Sequence, residues 1–275
     1  MACSTLPVQG AGFDPVASGY QLTFDEEFNH LSVSNDGVGT TWESKAYWMG
    51  NNNRKDLLDP SICGLGYTPF ALTNGGVQIQ ARPTPPALTQ CGGIKTPYTG
   101  GRLDTHNSFS QEYGYFETRA KISNVYGTIF AFWLLPQDGS WPPEIDITEM
   151  LGRLPGRDNV TNHTNDNGFN NQRGFRPNVG DLSQAFHTYA VKWDPENITW
   201  YLDGQQVGQT PTASDEHRPF YMVVNFNAGR CGDRWADCPR NSANFIADAD
   251  VKWVRAWQPP GGSNKVIKPQ TGFSQ

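Results

Sequence analysis

No apolar run in this sequence approaches the length a helix needs to cross a bilayer, so no membrane partner is expected. A basic stripe is also missing. The net charge of −6 is modest and unclustered, and nucleic acid is not an expected partner either. The opening residues Met1-Ala2-Cys3-Ser4 lack a positive n-region and an apolar h-region. A signal peptide is therefore expected to be absent from this chain, removed or never present. Cysteine is sparse, with Cys3, Cys63, Cys91, Cys231 and Cys238 only. Their spacing does not suit zinc, because no second close pair or paired His accompanies Cys231 and Cys238. Helix-period segments are almost absent, and neither an internal repeat nor a domain-separating linker is found. What remains is a chain of 275 residues, 37% hydrophobic, with enough apolar material for one large sandwich or barrel core or two small domains. With no linker, residues 1–275 are expected to form a single domain, with an N-terminal arm over 1–19 and a loose tail over 259–275.

Short alternating segments recur along the chain. Gln21–Phe28 forms the first predicted strand, and Gly75–Ala81 alternates as another, followed by a turn-rich insertion from Pro83 to Gly93. Arg102–Phe109 and Tyr113–Ile122 are expected to pair as a hairpin. Gly127–Pro136 is nearly continuous in apolar residues, which implies burial on both faces. Residues 153–181 show little periodicity and are expected to form a long loop over a cleft. His187–Asp194, Thr199–Asp203 and Phe220–Phe226 are strands separated by Asp-Pro, Asp-Gly and Arg-Pro turns, and Lys252–Gln258 closes the series. Only short helical turns are expected, for example around Asp181–Ala185. The pattern is that of an all-β sandwich.

One stretch carries chemistry. Ser140-Trp-Pro-Pro-Glu-Ile-Asp-Ile-Thr-Glu-Met-Leu-Gly152 puts three carboxylates within six residues. Side chains alternate along a strand, so Glu144 and Asp146 share one face while Ile145 and Ile147 share the other. Glu149 is out of phase by one position, and a one-residue β-bulge between Asp146 and Glu149 returns it to the acidic face. Two ionised carboxylates at roughly 5.5 Å and an effective dielectric of about 20 repel by about 3 kcal/mol. That keeps one protonated near neutral pH while another stays charged, the pairing that double-displacement glycoside hydrolysis requires. A calcium site is the alternative, but loop calcium sites mix acids with Asn, Gly and carbonyl ligands instead of placing an isoleucine behind each acid.

Trp141-Pro-Pro-Glu-Ile-Asp-Ile-Thr-Glu-Met-Leu-Gly152 resembles the signature of glycoside hydrolase family 16 in its bulged Glu-x-Asp-x-x-Glu form. Tyr98–Leu103, Tyr113–Ala120, Ala131–Pro136, Phe186–Trp193, Tyr201–Gly204 and Val254–Gln258 are similar to that family in the same order. The resemblance implies a concanavalin A-like β-jelly-roll sandwich, two curved antiparallel sheets with a substrate cleft on the concave face. It also implies that Glu144 is the nucleophile, Glu149 the general acid/base and Asp146 the carboxylate between them. Backbones four strand steps apart lie roughly 13 Å from each other, so only a curved strand brings two long Glu side chains to the 5–5.5 Å that retention needs.

Trp141 and Trp133 flank the acidic strand and are candidate platforms for sugar rings, with core packing as the alternative. Trp48 is a further candidate, whereas Trp193, Trp200 and Trp253 are expected in the core. His163 is expected to touch substrate or the acid/base. Asn225, in Val-Val-Asn-Phe-Asn, faces solvent or a polar cleft, and the resemblance favours the cleft. Arg102 either donates to sugar hydroxyls or pairs with an acid. Where family members carry Asn-Asn-Glu and a tyrosine pair, this chain has Asn51, Asn52, Asn53 and Arg54 and then Leu57 and Leu58. Asn51 and Arg54 are therefore candidates for recognising an acidic substituent. Many family members bind a structural calcium through an Asp at the position of Lys252, and an ammonium cannot ligate a cation. That calcium is expected to be absent, with Asp248 or Asp250 as the alternative holders of a displaced ion; no other metal and no cofactor is expected.

Cys231 and Cys238 are a candidate disulfide, and Cys63 and Cys91 could close the insertion between them; five free thiols are the alternative. Asn159, Asn162 and Asn197 open glycosylation-type triplets. The expected protein is a secreted, monomeric, retaining endo-β-glycanase acting on a β-1,3- or mixed β-1,3/1,4-linked polysaccharide. The alternatives are a depolymerase of a substituted or acidic bacterial exopolysaccharide, a transglycosylase, and a non-catalytic carbohydrate-binding sandwich.

Overall fold

The computed structural model describes residues 12–44, 64–91, 96–165, 171–240, 245–261 and 266–267. Asn51, Arg54, Trp48, Cys3 and Cys63 lie outside the described residues. Two sheets dominate. The first has Gln205–Pro211, Asn197–Leu202, His187–Trp193, Gly114–Ile122, Ala247–Gln258, Gly76–Pro83 and Phe70–Thr73 in spatial order. Gln21–Glu26 also joins it, beside Ala247–Gln258. The second runs Asn171–Phe175, Asn159–Thr164, Glu144–Leu151, Thr128–Pro136, Phe220–Ala228, Gly101–Asp104, Trp42–Glu43 and Val33–Ser34. Pairing is antiparallel except between the last two of these.

The period-two pattern sorts the side chains. On Thr128–Pro136, Phe130, Phe132 and Leu134 enter the core between the sheets, while Trp133 and Leu135 pack with Tyr221 and Val223 on the opposite face. Phe220, Met222, Val224 and Phe226 face the core from the neighbouring strand, and Trp193, Trp200 and Tyr189 fill it from the first sheet. Complete burial of side chains this large contributes roughly 1.5–3 kcal/mol each, which fixes the outer face as the one left for polar groups. Trp253 departs from expectation: it is half-buried and stacks under the Arg255 guanidinium, 4.5 Å from the ring centroid.

Three elements differ from the sequence reading. Arg102–Phe109 and Tyr113–Ile122 do not form a hairpin. Gly101–Asp104 pairs with Phe220–Ala228, and Gly114–Ile122 pairs within the other sheet. The chain changes sheets at Gly114, where φ is +130° and a Cβ would lie 2.3 Å from the Trp257 carbonyl oxygen. Alternation identifies strands but not their neighbours. Residues 153–181 are not one loop, since Asn159–Thr164 and Asn171–Phe175 extend the second sheet. Their alternation is hidden because the buried side chains include Asn159, Thr161 and Asn162. The insertion also holds a short helix, Pro86–Cys91. The predicted turn after Asp181 is a 3₁₀ helix over Leu182–Gln184, capped by the Asp181 carboxylate on the Ser183 N–H.

Candidate active site

Ile145, Ile147 and Met150 of the acidic strand lie in the core, so the spacing changes from two to three residues across Thr148. The register agrees. Asp146 faces Thr161 and Glu149 faces Asn159, three steps on one strand against two on the other. On the other flank, Thr148 pairs with Phe132 and Asp146 with Trp133. This is the one-residue bulge the acid spacing predicts, and it returns Glu149 to the face carrying Glu144 and Asp146. Two contacts hold it. The Thr148 hydroxyl donates to Asp158 Oδ1 at 2.6 Å, and the core indole of Trp200 donates to the Asp146 carbonyl at 2.8 Å.

Each glutamate meets an indole. Trp141 Nε1 donates to Glu144 Oε2 at 2.7 Å, and Trp235 Nε1 donates to Glu149 Oε1 at 3.3 Å. Asp146, 3% exposed, hydrogen-bonds to Glu144. His163, opposite Glu144 in the register, places Nε2 3.2 Å from Asp146 Oδ2 and 4.0 Å from Glu144 Oε1. Ligand-type atoms of Glu144, Asp146 and His163 lie within 4.8 Å of one another. Their hydrogen bonds to each other and to Trp141 account for this arrangement, and we assign no metal to it.

The electrostatics follow from burial. Glu144 is pushed up to about 8 by desolvation and then by the charge of Asp146; Glu149 is pushed up to about 7 by desolvation and then by Glu144. Asp146 is raised well above the ordinary carboxylate range by desolvation and then by Glu149. The trio therefore carries fewer than three negative charges near neutral pH. Asp146 is the most deeply buried, so it is the natural holder of a proton. By donating that proton to Glu144 it removes the charge that lifts Glu144, and the Trp141 bond then favours a Glu144 anion. One ionised and one protonated glutamate on a common face can perform nucleophilic attack and proton transfer.

The other candidates divide. Trp141 is 57% exposed beside Glu144, its ring 6.1 Å from His163. Trp133 is half-buried, with its N–H committed to Asn225 Oδ1 at 2.9 Å. Asn225 lies on the same face, in line with Ala131 and Glu149, and its amide also donates to Asn227. Arg102 is not placed to meet a sugar. It is fully buried and ion-paired with Asp104, and desolvation lowers its guanidinium to about 10. The ion-pair alternative is the one observed: the guanidinium lies fully buried on Asp104, with Tyr221 and Glu43 close enough for their charge to be felt. Asn159 and Asn162 are buried and hydrogen-bonded, so neither is a glycosylation acceptor in this fold. Lys252 donates to the Asn74 carbonyl and lies 5.0 Å over the Phe186 ring.

Two site residues escape a reading of the sequence. Trp235 lies between Cys231 and Cys238, which do form a disulfide; a lone Trp in a polar loop carries no periodic signal, though the cysteine bracket marks the loop as fixed. Asp158, 1% exposed and pushed up to about 7 by burial, lies in a segment whose alternation is obscured.

The sequence profile of the Glycosyl hydrolases family 16 matches residues 65–247. The chain belongs to this family. It is 38% identical over 86% of its length to the endo-1,3-1,4-beta-glycanase EglC of Rhizobium meliloti (strain 1021), and 36% identical over 86% to the endo-1,3-1,4-beta-glycanase ExsH of the same strain. It spans about half the length of these curated relatives, 51% of each. Among solved structures, SCLam, a non-specific endo-beta-1,3(4)-glucanase of family 16, superposes with a TM-score of 0.73 at 25% identity, over 90% of this chain and 96% of that one. The two sheets are thus the jelly roll of family 16.

Proposed function

We propose that this family 16 member is a retaining endo-β-glycanase acting on β-1,3- or mixed β-1,3/1,4-linked glucan. The observation that carries the reading is the bulge, which sets Glu144 and Glu149 on one sheet face with an indole N–H on each. In the first step, ionised Glu144 attacks the anomeric carbon while protonated Glu149 gives its proton to the departing glycosidic oxygen. The C–O bond to the leaving sugar breaks as the glycosyl–Glu144 ester forms. In the second, Glu149 takes a proton from water, the hydroxide attacks the same carbon, and Glu144 is released as carboxylate. Two inversions give net retention. Asp146 and His163 orient Glu144, and Trp141 offers an exposed ring beside the attacking carboxylate. The Cys231–Cys238 disulfide fits a secreted enzyme.

The same chemistry on a glycan with acidic substituents is the second reading. It is favoured by Arg176, whose guanidinium lies 5.4 Å over the Trp235 ring and whose charge is felt at Glu149. Turnover of laminarin, lichenan, agarose and acidic exopolysaccharides by the wild type and by Glu144→Gln tests both. The first reading expects reducing ends from laminarin or lichenan and a loss of at least about 10³-fold in the variant. Turnover of none of these glycans, or an active Glu144→Gln, would contradict it.

A further inference from the structure

The bond between Trp235 and Glu149 comes from a loop with no regular structure, so something else must hold it. Four features do. The Cys231–Cys238 disulfide closes the segment seven residues apart in sequence. The Arg153 guanidinium donates to the carbonyls of Trp235 at 2.9 Å and Arg234 at 3.1 Å. Asp233 Oδ1 accepts the Trp235 backbone N–H at 2.8 Å, and Tyr126 donates to Asp237 Oδ2 at 2.7 Å. The stem docks on Gly127, whose φ is +83° and where a Cβ would lie 2.3 Å from the Cys238 carbonyl carbon. Arg176 covers the outer face of the indole. Cys231 is exposed, so a reductant can reach the bridge.

We propose that this closed loop is a redox-sensitive positioning device that holds the Trp235 indole N–H on Glu149, so that reducing Cys231–Cys238 releases the bond and alters the acid/base. The inference rests on Glu149 being that acid/base. Trp235 acts here as a positioning residue. A donor aimed at a carboxylate stabilises its ionised form. Losing the donor makes Glu149 hold its proton to higher pH, and the alkaline limb of activity moves up. The other charged or titratable groups facing Glu149 are Glu144 and Asp146 on its own strand, His163 and Asp158 on or just before the adjacent strand, and Arg176 after the next. Of these, Arg176 touches the disulfide-closed loop through the Trp235 ring, a stacking surface that Trp235→Phe keeps in smaller form.

The test is the pH profile of kcat/KM on laminarin or lichenan for the wild type, the wild type with dithiothreitol, Trp235→Phe and the Cys231→Ser/Cys238→Ser double variant. Trp235→Phe is expected to move the alkaline limb up by roughly half a pH unit to one unit, the worth of one hydrogen bond. Dithiothreitol and the double variant are expected to move it the same way, with no further effect of dithiothreitol on the double variant. Rates that fall uniformly with an unmoved limb would reduce Trp235 to packing. A limb that moves in Trp235→Phe but not on reduction would overturn the redox coupling. The indole N–H resonance of Trp235, assigned with Trp235→Phe, gives a readout free of turnover. It is expected to titrate with Glu149, to stop doing so in Glu149→Gln, and to move on reduction. An indole signal indifferent to Glu149 overturns the inference even if the enzyme is active. A responsive signal in a protein that cleaves no glycan would sink the functional reading alone.

Discussion

Trp200, rooted in the first sheet, donates its indole N–H to the carbonyl of Asp146 in the second, at the residue where the bulge begins. The two layers are thereby pinned at the position that sets the phase of the acids. Trp200→Phe should leave a buried carbonyl unpaired and a small void, destabilising the fold by about 2–4 kcal/mol. Denaturant melts measure the loss. Activity should fall further than the folded fraction accounts for, because the bulge loses an anchor.

Thr148 lies within the bulge, and its hydroxyl is bound to Asp158. Thr148→Val, close in shape, takes one donor from the buried Asp158 carboxyl and leaves it the Asn159 backbone N–H, an expected cost of about 1–3 kcal/mol. Deleting Thr148 should be far worse. It would turn Glu149 toward the apolar core, and both soluble yield and hydrolysis should be lost.

The raised carboxyls carry a stability consequence whose sign is opposite to that of a surface acid. Glu149 at about 7 and Asp158 at about 7 bind protons more tightly folded than unfolded. Their contribution is complete below the ordinary carboxylate range and is lost as pH rises through the folded values. Glu149→Gln keeps an oxygen for Trp235 and carries no charge. Its melting temperature should exceed that of the wild type at pH 8 by a few degrees, with the gap closing toward pH 4. Scanning calorimetry across that range checks it.

Activity should be bell-shaped in pH. Glu144 must be ionised and Glu149 protonated, so the rate falls on the acid side as Glu144 takes up a proton and on the alkaline side as Glu149 loses one near 7. Trp141→Phe keeps the ring but removes the 2.7 Å bond to Glu144. Glu144 should then hold its proton more tightly, moving the acid limb upward while kcat falls roughly 10-fold or more.

How far the site was legible differs residue by residue. The positions of Glu144, Asp146 and Glu149 followed from period-two alternation and one phase slip, because apolar Ile145, Ile147 and Met150 mark the core face. His163 could be named but not placed, since its segment buries Asn and Thr instead of aliphatic residues and the strand is invisible to hydrophobic alternation. Arg102 looked like a sugar ligand because the sequence does not reveal that it is fully buried on Asp104, near Tyr221 and Glu43. The hairpin expected around Tyr113 failed for a related reason. Strand pairing is decided by long-range burial, and Gly114 sends the chain to the other sheet. Trp235 acquires its meaning only from a contact across 86 residues.

The most direct measurement is the anomeric form of the first product, followed by NMR during hydrolysis of a β-linked oligosaccharide, with azide trapping in Glu149→Ala and Glu144→Ala. We predict that the wild type releases the β-anomer first, that azide restores to Glu149→Ala the turnover of an aryl β-glycoside, whose leaving group departs without a proton, with a β-glycosyl azide as product, and that Glu144→Ala with azide yields the α-azide. Initial release of the α-anomer, or a β-azide from Glu144→Ala, would contradict the assignment of Glu144 and Glu149.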